Sequence, residues 1–457
     1  MCTEYGTSYM VSSRRRKKKE VIHMKEFEKI IGYEGIKKEL IKISDVLKNN
    51  DAYKKLGVTA PRGLVLYGDP GVGKTLMAST LIEASGRKAI ICRKDKPNGD
   101  FVKALKAAFK EAKEAAPSVI FLDDMDKFAN GDSRHRDQEE YVTVQSCIDN
   151  IKGKDVFVLA TANDIDVLPE SLLRAGRFDR VIEVCNPCGE DAIKIMDQYM
   201  KQKKFVGDMD ASVVARMMDG YSCAELETVI NEAGLLAGYE RSDVITMDHF
   251  IKACLHNIHD IPMEALENGK LDADLTDGDD PVTRVIYHEA GHATVSEVLN
   301  PGVVTLVSAY SNDGRKGGFT SYSNGDGKIC SVEGRYGHVC SSLGGMAALE
   351  QKFGVTDIGV SHDIEQAFRS ISDLITENCT VGFDHYAEYR CSDKMNEKNE
   401  ITAAAEMNRL YRKTKEILAK NRDLLDGIAE MLREKGVITA ADISKIKENC
   451  RIVPVSI

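Results

Sequence analysis

Gly63-Leu64-Val65-Leu66-Tyr67-Gly68-Asp69-Pro70-Gly71-Val72-Gly73-Lys74-Thr75 is the stretch from which the fold can be read. Its first five residues are apolar and β-prone, so they predict a strand. The run Leu76-Met77-Ala78-Ser79-Thr80-Leu81-Ile82 that follows predicts a helix. Strand, GxxxxGK[ST], helix is the context that separates a phosphate-cradling loop from a chance match. The glycines let backbone N–H groups approach phosphates, and the helix N-terminus adds a favourable dipole. Gly68, Asp69, Pro70, Gly71, Val72 and Gly73 are the expected cradle. Lys74 is expected at the β- and γ-phosphates, with the Thr75 hydroxyl on Mg²⁺.

Working outward, Ser118-Val119-Ile120-Phe121-Leu122 is a second apolar strand, and it ends in Asp123-Asp124. Acids at a buried strand tip beside a phosphate loop suit Mg²⁺ binding by Asp123 and polarisation of the attacking water by Asp124. Val156-Phe157-Val158-Leu159-Ala160-Thr161 is a third such strand and delivers Asn163. Arg174 and Arg177 lie in the glycine-punctuated run Leu172 to Arg180. They are either surface charge or arginine fingers acting on a neighbouring subunit.

The second half carries different chemistry. Asp280 and Pro281 form a helix start, with an N-cap acid and a proline at the first position. His288, Glu289 and His292 follow in a His-Glu-Ala-Gly-His run. On a helix the two histidines stand one turn apart on one face, so both imidazoles can bind one metal. Glu289 beside them is placed to deprotonate a zinc-bound water and then protonate a leaving amine.

Composition narrows the class. At 457 residues two or three domains are expected, and 43% hydrophobic with 29% charged residues is globular. A net charge of −10 and a pI near 5.6 argue against nucleic acid as the main partner. No apolar run approaches a spanning helix and no signal-type segment opens the chain. Twelve scattered cysteines suit a reducing cytosol, and the lone Cys185-Asn186-Pro187-Cys188 is incidental because a structural zinc needs four ligands. Arg14, Arg15, Arg16, Lys17, Lys18 and Lys19 make a basic run in a solvated tail. At about 1 kcal/mol per charge it predicts at most a weak, salt-sensitive contact with an anionic membrane. The expected location is cytoplasmic, at most peripheral at a membrane surface.

Taken together, these motifs resemble the FtsH family of AAA+ ATP-dependent zinc proteases, from about Phe27 to about Ile443. The resemblance implies an α/β P-loop ATPase with a parallel sheet and a helical lid, then a mainly α-helical zinc metallopeptidase domain. The implied divisions are a tail at 1–24, the nucleotide-binding subdomain at 25–190, the lid at 191–265, a linker at 266–281 and the peptidase at 282–450. Phe27-Glu28-Lys29-Ile30-Ile31-Gly32 is similar to the family's opening segment, which puts Ile31 and Gly32 in the adenine pocket. Asn163 would sense the γ-phosphate, and Arg174 and Arg177 match both arginine fingers. Gly220-Tyr221-Ser222-Cys223-Ala224-Glu225-Leu226 resembles the lid turn and brings Ala224 to the nucleotide. A catalytic zinc needs a third ligand. The resemblance assigns it to Asp363, within Gly359-Val360-Ser361-His362-Asp363-Ile364, with His362 as a chemical rival.

The implied activity is an ATP-dependent zinc endopeptidase, a homo-hexamer acting on proteins or peptides with Zn²⁺, ATP and Mg²⁺. Three departures bear on it. Asp124 stands where the family has glutamate, one methylene longer. The family's aromatic-hydrophobic-glycine pore loop is replaced by a shorter run, Arg93 to Lys103. In that run Phe101-Val102 is either a displaced gripping pair or the inward-packed head of the next helix. The family's usual N-terminal membrane spans are absent, so the expectation is a soluble member. Gly317 to Tyr322 predicts a strand near the cleft, either an open edge for substrate or an ordinary buried strand. The stripe Leu410, Ile417, Leu418, Leu425, Ile428, Met431 and Leu432 predicts peptidase core and ring contacts. Alternative readings are a weakly ATP-coupled peptidase of loose polypeptides, a regulatory or chaperone ring, and a nucleotide-switched scaffold.

Overall fold

A computed structural model describes residues 25–95, 98–129, 139–204, 209–267, 280–310, 317–323, 331–355, 358–386 and 392–457. The basic run at 14–19, Lys96 and Pro97 of the altered loop, and most of the expected linker lie outside the described residues. The chain forms two compact units, Met1–Gln202 with Gly220–Thr228, and Lys203–Asp219 with Val229–Ile457. The segment expected as a lid is thus divided between them.

In the first unit β1 (Gly63–Tyr67), β2 (Lys88–Cys92), β3 (Ser118–Leu122), β4 (Val156–Ala162) and β5 (Arg180–Glu183) form a parallel sheet ordered β2-β3-β4-β1-β5. The three central strands read as continuous apolar runs because both faces of such a sheet are covered. Since β3, β4 and β1 are neighbours, their carboxyl ends bring Asp123, Asn163 and the glycine loop to one edge. That edge is where open α/β sheets bind ligands.

Helix α1 (Lys74–Ser85) follows β1, and α2 (Asn98–Glu114) follows β2. Phe101, Leu105, Phe109 and Ala112 recur at helical spacing along α2 and are buried. Phe101 meets Phe128 edge-to-face, with ring centroids 4.8 Å apart. Burying a phenylalanine contributes about 1.5–3 kcal/mol, which outweighs any tendency of this ring to stand in solvent. Val102 is buried as well. The displaced gripping pair is therefore corrected to the inward-packed alternative.

The second unit is built around α3 (Pro281–Leu299), packed against α4 (Gly344–Phe353). Asp280 accepts the Val282 and Thr283 N–H groups at 2.8 and 3.0 Å, so the N-terminus of α3 is capped as its sequence predicts. Gly291 in α3 faces Gly344 in α4. A Cβ on Gly291 would strike the Gly344 carbonyl, so the two helices cross at a distance only glycine permits. Strands β6 (Val304–Ser308), β7 (Phe319–Tyr322) and β8 (Val437–Thr439) form an antiparallel sheet ordered β7-β6-β8, with β7 at an edge. Leu410, Ile417 and Leu418 from α6 (Asp393–Lys420) lie in the core around α3. So do Leu425, Ile428 and Leu432 from α7 (Arg422–Lys435), with Met431 packed beside them. Between β7 and α6, α5 (Ser361–Thr376) carries Asp363 in its first turn. Among the described residues no helix is long and apolar enough to cross a membrane.

Candidate active sites

In the first unit the loop after β1 needs its glycines. Gly68, Gly71 and Gly73 all have positive φ, and a Cβ on Gly68 would clash with the Val184 carbonyl. Lys74 is buried and donates to the carbonyls of Gly68 and Asp69, both at 2.7 Å, and to Asn163 Oδ1 at 3.0 Å. Burial pulls its ammonium below the usual lysine range, which favours an added anion beside it. Asn163 is itself oriented by Asp126, whose carboxylate accepts the Asn163 backbone and side-chain N–H groups at 3.1 and 3.2 Å.

Asp123 Oδ1 accepts from Thr161 Oγ1 at 2.7 Å and Thr75 Oγ1 at 3.4 Å, so the two residues expected on Mg²⁺ already face each other. Its other oxygen is held by Arg93 Nε at 2.6 Å. Asp124 is half-buried at φ 54° and ion-paired with Lys127 at 2.7 Å. Ala224 N–H donates to the Gly71 carbonyl at 3.1 Å, which closes the 220–228 segment onto the glycine loop. Next to Ile31, Gly32 has φ 69° and lies against Asp191, while the Tyr33 hydroxyl donates to the Cys185 carbonyl at 3.0 Å. Of the expected fingers, Arg174 is exposed. Arg177 is tied to Asp149 at 2.9 Å and to the Ser171 carbonyl.

In the second unit α3 places His288 and His292 one turn apart, and α5 brings Asp363 to them. Asp363 Oδ2 lies 3.1 Å from His288 Nε2 and 3.3 Å from His292 Nε2, with 3.0 Å between the two nitrogens. Tetrahedral zinc with bonds of about 2.0–2.1 Å separates its ligand atoms by about 3.3 Å, so this triangle fits zinc. His292 Nδ1 donates to the Ser341 carbonyl at 2.7 Å, which leaves Nε2 as the ligand nitrogen. A Cβ on Gly345 would lie 2.5 Å from the His288 ring, so that ring too needs a glycine opposite. His362 is exposed, pairs with Gln366 at 2.8 Å, and stands outside the cluster.

Burial alone would push the Asp363 carboxyl up. The hydrogen bonds and charges of both histidines outweigh it and hold the group well below the usual carboxylate range. For His292 burial lowers, but Asp363 and Glu289 raise, and the net direction is upward. Glu289 is 4% exposed, and burial pushes its carboxyl up despite the opposing pull of His292, His288 and Thr320. A buried carboxylate whose proton affinity is raised above that of a free one is suited to accept and return a proton.

Sequence reading passed over three of these groups. Arg93 reaches Asp123 only because β2 and β3 are neighbours, which spacing along the chain does not state. Asp126 orients Asn163 across two strand ends. Thr320 in β7 donates to Glu289 Oε2 at 2.9 Å. Its signal was a hydroxyl two residues beyond Gly318, on one face of a strand. That strand lies at the sheet edge, with Phe319, Thr320 and Ser321 half-buried and Tyr322 exposed.

A nucleotide-type loop on a parallel sheet, and in the second unit a zinc-fitting triad on helices, are features of the class that carries an ATPase-type and a metallopeptidase-type domain in one chain. Comparison with known proteins agrees. Residues 64–186 match the ATPase family associated with various cellular activities, 208–252 the AAA+ lid domain, and 279–446 peptidase family M41. The chain is 30% identical to the ATP-dependent zinc metalloprotease FtsH of Cyanidium caldarium over 92% of its own length and 72% of the relative's. It is 29% identical to the FtsH of Mycoplasma mobile over 93% of its length, and 27% to FtsH 2 of a Thermoanaerobacter species over 92%. It spans 63% of the Mycoplasma mobile protein and 82% of the Thermoanaerobacter one. The chain belongs to the FtsH family of ATP-dependent zinc metalloproteases.

Proposed function

We propose that this chain hydrolyses peptide bonds in protein substrates, with ATP turnover in the first unit driving their delivery. One observation carries the reading. The Glu289 carboxylate is buried beside three ligand atoms whose mutual spacing is that of a zinc tetrahedron with one corner free. His288, His292 and Asp363 would hold Zn²⁺, which supplies Lewis acidity toward a water and a scissile carbonyl. Glu289 takes the water's proton and returns it to the leaving amine. The edge strand β7 offers backbone groups to an extended substrate by strand addition.

In the first unit Gly68 to Thr75 would cradle the phosphates of ATP, Asp123 would bind Mg²⁺, and Asn163 would sense the γ-phosphate. Ile31, Gly32 and Ala224 would border the nucleoside. Arg174 and Arg177 acting on a neighbour's phosphate require an oligomer, by family a homo-hexameric ring; its expected location is cytoplasmic, at most peripheral at a membrane surface. The test is degradation of casein and of a stably folded substrate with ATP, with a non-hydrolysable analogue and without nucleotide. Casein cleavage that survives a metal chelator would overturn the reading.

A weaker coupling of ATP to unfolding is favoured by two observations, the Asp124–Lys127 ion pair and the burial of Phe101 and Val102. A carboxylate about 1 Å out of place costs roughly a hundredfold in rate. Asp124→Glu is therefore expected to raise ATP turnover, while stably folded substrates still survive because grip is a separate deficiency. Equal ATP-dependent rates for a folded substrate and its destabilised variant in the unmodified protein would contradict this.

The ligand assignment has its own test. Asp363→Ala is expected to lower zinc occupancy far more than His362→Ala, because only the first removes an atom from the triangle. Metal analysis after dialysis reads the order directly, and the reverse order would refute the assignment.

A further inference from the structure

We propose that Thr320 is the positioning residue of the general base, an inference that rests on the zinc-peptidase reading above. Its Oγ1 donates to Glu289 Oε2 at 2.9 Å, inside a site where the glutamate is 4% exposed. A buried carboxylate requires such a donor, and glutamate's terminal torsion is broad, so the donor is what fixes the orientation of the two oxygens. Threonine is stiff about its first torsion and is anchored by a strand. Thr320 pairs with Val307 and Phe319 with Ser308, so β7 is fixed against β6.

The strand also approaches the base closely enough to exclude any side chain at Gly318. A Cβ there would stand 2.7 Å from Glu289 Cγ and 2.5 Å from the Ser308 carbonyl oxygen. On its far side β7 is held by Phe319 stacking on His259, with centroids 4.1 Å apart, and by Ser323 donating to Asp219 at 2.9 Å. Gly318 and Thr320 thus form a rigid wall for the carboxylate. With Oε2 engaged by a donor, Oε1 is the oxygen left to take a proton. Thr320 does not touch the reacting atoms; it sets where Glu289 presents them.

The full chain is compared as Thr320→Val, which keeps the branched shape and removes the donor, and Thr320→Ser, which keeps the donor. Valine is expected to lower kcat about ten- to a hundredfold, with KM and zinc content unchanged. Serine is expected to restore most of the loss. Binding of a zinc-chelating peptide hydroxamate, whose hydroxyl needs the Glu289 carboxylate as acceptor, should weaken with valine and not with serine. That measurement requires no turnover. Unchanged kcat and hydroxamate affinity with valine would overturn the proposal, as would serine falling as far as valine. Should valine disturb the strand and lower the zinc content, Thr320→Ala against Thr320→Ser reads the same hydroxyl, and equal losses would overturn it. Glu289→Gln measured alongside separates the two levels. If it stays active the peptidase reading fails, whereas if it is dead and valine is unimpaired only the role of Thr320 fails.

Discussion

Glu289→Gln is expected to abolish proteolysis while zinc stays bound. The amide has the shape of the carboxylate, so the helix and both imidazoles are undisturbed, but it cannot accept the water's proton. Positioned acid–base groups contribute about 10²–10⁴-fold, and in the proposed mechanism Glu289 serves both the attack and the departure of the amine. Release of soluble peptides from casein should therefore fall by at least about a hundredfold, with metal content equal to the parent. Its burial strengthens the expectation, because solvent cannot easily replace a base enclosed by α3 and β7. Peptidase activity above background in a zinc-replete variant would remove Glu289 from the mechanism.

Lys74→Ala is expected to lose ATP binding, and Arg177→Ala to keep binding but lose turnover. Lys74 is the buried cation of the glycine loop. Its three acceptors, the Gly68 and Asp69 carbonyls and Asn163, hold the ammonium at the mouth of the cradle. Alanine removes the charge that the phosphates need. An arginine finger supplied by a neighbour acts only on the transition state and is worth about 10³–10⁵ in rate. Here Arg177 is engaged by Asp149 and the Ser171 carbonyl, so reaching a neighbour's phosphate requires it to leave them. Mixing the two variants places an intact finger beside an intact loop at some interfaces and should recover part of the turnover. Titrating one variant into the other while measuring phosphate release checks this. No recovery at any ratio would argue that the arginine acts only within its own subunit.

Read alone, the chain determined the features whose geometry is local. Strand, glycine loop and helix are set within a few residues by backbone freedom and side-chain pattern, so the glycine loop between β1 and α1 was legible from Gly63 to Ile82. The Asp280-Pro281 helix start and the one-turn spacing of His288 and His292 depend only on helix period and capping. Tertiary packing decided what lies between distant elements. Asp363 reaches the histidines because α5, packed on α6 and on the helix Val332–Ser342, brings its first turn to them, and exposure of His362 follows from the same placement, not from its chemistry. Phe101 turns inward because Phe128 offers an apolar partner that its own neighbours do not announce. Arg93 meets Asp123 through strand order, and Thr320 meets Glu289 through the close approach that Gly318 allows. The division has one physical cause. Short-range structure follows from torsions and hydrogen bonds a few residues apart, whereas these contacts exist only after burial of the two cores has chosen which elements become neighbours.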